Sequence, residues 1–251
     1  MDKIEIHYDE KPDLDDPIFI EGLPGIGNVG KLAAEHLIDQ LKGKKFADII
    51  SKHFPPQVVI EDNGVVRLVD NQLYYAKRDG ANQDLVILTG DYQGLTPEGQ
   101  YELSDFILGV LKELNVKRIF TLGGYGIGRM IKKPRVLGAA TEESLVKEMK
   151  KLGVVFSRDE PGAGIVGASG LLLGMGKYYG MQSVCLMGET SGYFVDPKSA
   201  QAVLEVLAKI LDITVNYDEL EAKAKQIDSI TARLKEIEAK VDHEEDLGYI
   251  G

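Results

Sequence analysis

Cysteine is almost absent from this chain, because Cys185 is the only one among 251 residues. An internal disulfide framework is therefore excluded. Cys185 lies in the apolar run 184–187, which predicts a buried, inert thiol and a reducing compartment. Tryptophan is missing altogether, and 29 basic residues face 40 acidic ones, for a formal net charge of -11. That balance disfavours a general electrostatic attraction to nucleic acid or to an anionic membrane.

Long hydrophobic runs are also lacking. No stretch approaches the roughly 20 apolar residues of a membrane-spanning helix, and the start of the sequence has no signal-peptide pattern. We therefore expect a cytoplasmic protein that binds neither membrane nor nucleic acid. The four histidines have no ligand-like spacing, and no serine lies in a nucleophile elbow, so neither a metal site nor a catalytic constellation is expected. The histidines are His7, His36, His53 and His243.

Short apolar or alternating segments with glycine-rich exits predict strands. The pair Asn63-Gly64 predicts a tight hairpin between two of them, and Asp70-Asn71 a second, so part of the sheet is expected to be antiparallel. The predicted strands cover residues 4–8, 18–20, 46–50, 58–60, 65–69, 73–76, 85–89, 118–122, 154–156 and 183–187.

Apolar residues at three- and four-residue spacing predict helices between the other strands. Thr96 and Asp196 precede prolines and are expected to cap two of them. Apolar strands that alternate with helices indicate parallel βαβ units. The fold class is thus α/β, a mixed sheet with helices on both faces, in a core domain of residues 1–212. The predicted helices cover residues 29–41, 97–114, 142–152 and 197–211, with a helix-like stretch at 168–176.

Residues 213–241 are predicted to form a long amphipathic helix, because apolar residues recur in a heptad pattern. Two interpretations explain this pattern equally well. The helix packs against a helix of another chain, or it lies on its own domain. The seam comprises Leu220, Ile227, Ile230, Leu234, Ile237 and Val241.

Residues 242–251 are expected to be a flexible tail that follows this helix. An acidic run comes first, and the apolar residues after it have no core to join. They form either a frayed end or a docking peptide for a partner protein. The candidate partner-binding residues are Leu247, Tyr249, Ile250 and Gly251.

Three glycine-rich loops follow predicted strands. Gly25, Gly27 and Gly30 match the G-x-G-x-x-G spacing of dinucleotide-binding loops, but the acidic ribose partner at the end of the next strand is missing. The favoured interpretation is structural turns, and a ligand pocket at the carboxyl edge of the sheet is the alternative. The candidate pocket comprises Gly25, Gly27, Gly30, Gly124, Gly126, Gly162 and Gly164.

The order and spacing of these motifs resemble the PAC2 family of proteasome assembly chaperones and their archaeal homologues. The resemblance rests on residues 22–30, 123–126, 164–174 and 193–200. It implies a nucleoside-phosphorylase-like fold without that activity, no cofactor, and a homo-oligomeric ring, with a pentamer favoured over a tetramer.

The resemblance also implies ATP-independent binding of other proteins, either the 20S proteasome or a different archaeal complex. Gate-opening relatives carry a penultimate tyrosine after a hydrophobic residue, whereas Tyr249 is third from the end and follows Gly248. The sequence therefore predicts a non-enzymatic scaffold with C-terminal docking tails. A small-molecule or nucleotide-binding enzyme or sensor that uses the glycine loops is the alternative.

Overall fold

The computed structural model describes residues 4–78, 83–157 and 164–231. The strands in these ranges are β1 (Glu5–Tyr8), β2 (Ile18–Glu21), β3 (Lys44–Ile50), β4 (Val58–Ile60), β5 (Val66–Leu68), β6 (Asn71–Ala76), β7 (Leu85–Gly90), β8 (Arg118–Gly126), β9 (Val136–Ala140) and β10 (Gln182–Thr190). The helices are α1 (Val29–Leu41), α2 (Pro97–Glu113), α3 (Glu143–Lys151), α4 (Ala168–Gly176), α5 (Pro197–Leu211) and α6, whose described part covers residues 218–231.

Eight of these strands form one mixed sheet in the order β1-β3-β6-β7-β2-β8-β10-β9. The four central strands β7, β2, β8 and β10 run parallel. β7, β2 and β10 are buried over nearly their whole length, and β8 is buried over residues 119–122. The strands on either side pair antiparallel. The predicted mixed sheet is thereby confirmed.

Helices cover both faces of this sheet, because the central strands are apolar on both sides. In β2, Ile18 and Ile20 belong to one core cluster and Phe19 to the other. Helices α1, α3 and α5 contribute buried side chains to the first cluster, and α2 and α4 to the second. Thr96 and Asp196 cap α2 and α5 as predicted, since each side chain accepts a backbone N–H bond three residues later.

One strand of the sheet was not predicted. β9 contains Gly138, Ala139 and Ala140, which give no alternating apolar signal. Its neighbour 154–156 was predicted as a strand, and it forms only an isolated bridge between Val155 and Leu137. A Cβ on Gly138 would approach the Val154 side chain within 2.6 Å, so small residues in β9 are what allow this segment to lie beside it.

The predicted hairpin at Asn63-Gly64 is present, with Gly64 at a φ of +81°. Its strands β4 and β5 form a separate two-stranded sheet, which we call the ribbon (residues 58–68). The second predicted hairpin, at Asp70-Asn71, is wrong, because β6 pairs with β3 and β7 and not with β5. The Asp70 amide donates to the Asp91 carboxylate at 3.1 Å, which ties this point of the chain to the end of β7 instead.

Helix α6 begins on its own domain. Leu220 is only 1% exposed and belongs to the core beneath α1 and α5, and Ala224 is also buried. The Tyr217 ring stacks on His36, whose Nε2 lies 2.6 Å from the Asn216 carbonyl oxygen. The apolar core therefore continues past residue 212. Within the described ranges, no helix is long and apolar enough to cross a membrane.

We predict that Gly30→Ala destabilises the fold strongly while Gly109→Ala does not. A Cβ on Gly30 would lie 2.1 Å from the Leu122 carbonyl oxygen, whereas one on Gly109 meets nothing within 4 Å. Overpacking of this kind costs about 1–3 kcal/mol or more, and each kcal/mol lowers the Tm of a chain this long by roughly 2–4 °C. Alanine at residue 109 should be neutral or stabilise helix α2 by up to about 1 kcal/mol.

Melting temperatures of the wild type and the two variants, measured side by side by circular dichroism, check this prediction. Equal melting temperatures for both variants would show that α1 does not depend on close contact with β8.

Candidate functional site

A cleft of about 570 Å³ opens at the carboxyl ends of the parallel strands, where α/β folds place ligands. Three segments meet there: the loop after β2, the last residues of strand β8, and the loop before α4. The lining residues are Leu23, Gly25, Ile26, Gly30, Gln93, Gln100, Leu122, Gly123, Gly124, Tyr125, Gly126, Gly164, Ile165, Val166, Gly167, Ser169, Cys185 and Met187.

Most of the predicted pocket glycines come together in this cleft. Gly25, Gly30, Gly124, Gly126 and Gly164 all line it, although they are far apart in the sequence. Gly27 is not part of the lining. It lies at a φ of +63°, and its Cβ would approach the Thr190 hydroxyl oxygen within 2.9 Å. Gly162 lies outside the described residues.

Close backbone packing explains two of the lining glycines. A Cβ on Gly30 would lie 2.1 Å from the Leu122 carbonyl oxygen, and one on Gly124 would lie 2.2 Å from the Ile26 carbonyl oxygen. A positive φ explains Gly164 and Gly167. These four glycines are structural, whatever the cleft does.

The other three lining glycines, Gly25, Gly123 and Gly126, have no such explanation. None of the three has a positive φ, and the nearest atom to an added Cβ is 3.5–3.9 Å away, which is ordinary contact. A side chain at these positions would fit the backbone and take up space in the cleft.

A buried carboxyl group lies beneath the cleft. Glu21, the last residue of β2, is fully buried. Its Oε2 accepts a hydrogen bond of 2.8 Å from the Ser169 hydroxyl, and its Oε1 accepts one of 3.0 Å from the Leu23 amide. Burial raises the pKa of Glu21 to about 7, and these two hydrogen bonds limit the rise.

The sequence reading missed Glu21. The available signal was an acidic residue directly after the apolar strand residues Phe19 and Ile20, where a buried charge is unusual. Ser169 lies in no nucleophile elbow, so no sequence pattern selects it. The position of Ser169 between the cleft and Glu21 depends on the approach of α4 to the end of β2, which no local pattern shows.

Gln93 connects the loop after β2 to the start of α4. Its Nε2 donates to the Pro24 carbonyl oxygen at 2.7 Å, and its Oε1 accepts from the Ala168 amide at 2.9 Å. Gln100 adds a bond of 3.3 Å to the same Oε1. The loop after β2 and the start of α4 are thereby held in a fixed relation, so the cleft is largely pre-formed.

Among the described residues, the cleft has no reactive thiol and no basic side chain. Burial raises the pKa of the Cys185 thiol to about 12, so at neutral pH it stays protonated, as expected for an inert cysteine. Among the lining residues that the structure describes there is no lysine, arginine or histidine, so phosphate groups have no counter-charge here. In the described part of the chain, no group of three potential metal ligands is found either.

A second surface with unusual character is the ribbon. Val58 pairs with Leu68 and Ile60 with Val66, so these four side chains share one face, and each is between 49% and 71% exposed. On the opposite face Val59 packs against the core, and the Arg67 guanidinium binds the Asp91 carboxylate through Nη2 at 3.0 Å. The ribbon therefore presents its apolar face outward.

The structure describes three of the predicted helix-seam residues. Leu220 is buried in its own domain, Ile227 lines a narrow groove beside Met130 and Phe194, and Ile230 is 53% exposed. An ion pair of 2.6 Å between Lys198 and Asp228 holds this part of α6 against the start of α5. Leu234, Ile237, Val241 and the tail residues Leu247, Tyr249, Ile250 and Gly251 lie outside the described residues.

Comparison with known proteins relates the chain to several archaeal proteins. Protein MJ1210 of Methanocaldococcus jannaschii is 41% identical over 246 residues, which cover 95% of this chain and 93% of that protein. Among solved structures, PbaB of Pyrococcus furiosus, an archaeal proteasome activator, has a TM-score of 0.89 and 44% identity, over 94% of this chain and 100% of that one.

PbaA of Pyrococcus furiosus, an archaeal homolog of proteasome-assembly chaperone, has a TM-score of 0.76 and 29% identity, over 99% of this chain and 100% of that one. The family model for PAC2 matches residues 19–235, which confirms the resemblance seen in the glycine-rich motifs. The chain therefore belongs to the PAC2 family.

Proposed function

We propose that this protein is a non-enzymatic, ATP-independent, homo-oligomeric scaffold that binds other proteins, as archaeal proteasome activators and assembly chaperones do. Family membership and the likeness to PbaB and PbaA support this proposal. The single observation that carries it is the aliphatic outer face of the ribbon, Val58, Ile60, Val66 and Leu68.

Contiguous apolar surface of this kind is rare on a protein that functions alone. The exposed side chains belong to two cross-strand pairs, and Val65 in the turn extends the patch. Complete burial of such half-exposed side chains would contribute roughly 1 kcal/mol each. Four or five of them together are enough to direct an association.

The outward orientation of this face is fixed by contacts on the inner face. Arg67 binds Asp91 on the main sheet and Glu61 within the ribbon, the latter through Nε at 2.7 Å. Reversal of the ribbon would turn the guanidinium away from Asp91 and leave that largely buried carboxylate without this ion pair, which is costly. The apolar face thus stays available to another chain.

We propose that a second copy of the chain covers this face. The face carries no charge that would select a different partner, and it can pack against apolar surface of a neighbouring copy, as the head-to-tail contact of a ring requires. Leu220 is buried in its own core and is therefore not available for contact between copies. The ring of five subunits, in preference to four, and the nucleoside-phosphorylase likeness stay predictions.

The C-terminal tail is the proposed contact to a different protein complex, either the 20S proteasome or another archaeal partner. Leu247, Tyr249, Ile250 and Gly251 would bind it. Several tails on one oligomer raise the effective concentration of weak binding segments, so each tail needs little affinity of its own. The 20 residues from 232 to 251 reach at most about 70 Å when extended.

We predict that the double variant Ile60→Lys with Val66→Glu dissociates the oligomer. The new side chains face each other across the ribbon and form an ion pair there, so the hairpin keeps its register while the apolar contact is lost. The mass measured by light scattering after size exclusion should fall to that of the monomer.

Ile230→Lys is the matched control, since Ile230 is an equally exposed aliphatic on α6. We expect it to leave the mass unchanged. Dissociation by Ile230→Lys together with an intact oligomer in the ribbon variant would show that the helix, and not the ribbon, joins the copies.

We predict that serine at Leu247, Tyr249 and Ile250 abolishes capture of the archaeal 20S proteasome and leaves the oligomer intact. The substitution removes the apolar anchors and keeps the acidic run, so the charge of the tail is unchanged. Immobilised wild type and variant are compared for capture of purified 20S particles, with and without ATP. Equal capture by both proteins would contradict tail docking, and a requirement for ATP would contradict the ATP-independent mechanism.

A further inference from the structure

The cleft beneath the glycine loops has properties that the scaffold function does not require. Its volume of about 570 Å³ is in the range of small-molecule sites, and it lies at the point where β2 has parallel neighbours on both sides. It is built by different residues from the ribbon and the tail, so it can be tested independently of the proposed function.

Glycines that the fold does not need keep this cleft open. Gly25, Gly123 and Gly126 have ordinary backbone conformations and room for a Cβ. By contrast, an added Cβ at Gly30 or Gly124 would collide with backbone. Neither packing nor backbone conformation explains the glycines at 25, 123 and 126. What these three share is that the missing side chain leaves room in the cleft.

The lining combines apolar side chains with one hydroxyl group held in a set orientation. Leu23, Ile26, Ile165 and Met187 supply apolar surface. Above its pKa of about 7, the fully buried Glu21 is mostly ionised and its carboxylate only accepts, so the Ser169 hydroxyl donates to it and the Ser169 lone pairs remain to accept a bond from whatever occupies the cleft. A molecule in the cleft therefore meets this acceptor beside the apolar side chains. The other polar side chains of the lining are Tyr125 and the pair Gln93 and Gln100, which already bond to each other, and Gln93 also bonds to backbone groups.

We propose that the cleft binds an uncharged, largely apolar small molecule that donates a hydrogen bond to Ser169. An anion is disfavoured because no basic side chain is found among the described lining residues, and the Glu21 carboxyl group lies directly below. Of the alternative raised by the glycine spacing, a small-molecule or nucleotide site, only the neutral small molecule is kept in this proposal.

Three aromatic probes of matched shape test this proposal: benzamide, which donates a hydrogen bond; methyl benzoate, which does not; and benzoate, which is an anion. Saturation-transfer NMR on the full chain measures their binding. Fragments of this size bind with a Kd on the order of millimolar at best. We expect benzamide to bind about fivefold more tightly than methyl benzoate, the effect of one hydrogen bond, and benzoate to bind least.

Variants then locate the bound probe. Gly126→Val and Gly123→Val should each remove benzamide binding, because both residues line the cleft, neither has a positive φ, and an added Cβ at either meets no atom closer than 3.5 Å. Ser169→Ala should abolish the preference for benzamide over methyl benzoate. Gly109→Ala, whose Cβ meets nothing within 4 Å, should bind all three probes as the wild type does.

The proposal is overturned if benzamide does not bind the wild type, or if both valine variants retain it. Tighter binding of benzoate than of benzamide would identify an anion site and would equally overturn it. Melting curves show that each variant is folded, and if one valine variant fails to fold, the other variant and Ser169→Ala still decide the outcome.

Discussion

The approach of helix α1 to strand β8 without a side chain between them is the contact on which the rest of the domain depends. Gly30 places its backbone against the Leu122 carbonyl, and Gly124 does the same with the Ile26 carbonyl, so the start of α1 and the end of β8 are in direct contact. Strand β2 lies between β7 and β8 at the centre of the sheet. This contact fixes the carboxyl edge of the sheet and with it the cleft.

The sequence predicted the helices well because their signals are local. Thr96 and Asp196 mark the first turns of α2 and α5, and periodic apolar residues place the ends of α1 to α5 to within a residue. The helix predicted from residue 213 begins only at residue 218. Strand β9 and the isolation of the ribbon depend on neighbours distant in sequence, so no local pattern reveals them. For the same reason, the sequence could not separate Gly30, which packing requires, from Gly126, which it does not.

Two sites with opposite character share this domain. The ribbon exposes aliphatic side chains on a face that Arg67 and Asp91 hold outward, whereas the cleft encloses apolar surface around one oriented hydroxyl group. The ribbon and the cleft do not need to touch each other for protein binding at the one or ligand binding at the other. Asp91 follows the end of β7 and Gln93 comes two residues later, so one short segment fixes both the ribbon and the wall of the cleft.

The start of α6 reconciles the two interpretations of the heptad pattern. Leu220 of the predicted seam packs on its own domain, as does its neighbour Ala224, and Lys198 with Asp228 adds an ion pair. Two turns later Ile230 is half exposed, so the seam changes from an internal contact to a surface within the described part of the helix. The described part of α6 is therefore anchored beside the start of α5 and Met130, and its last described turns present Ile230 to solvent.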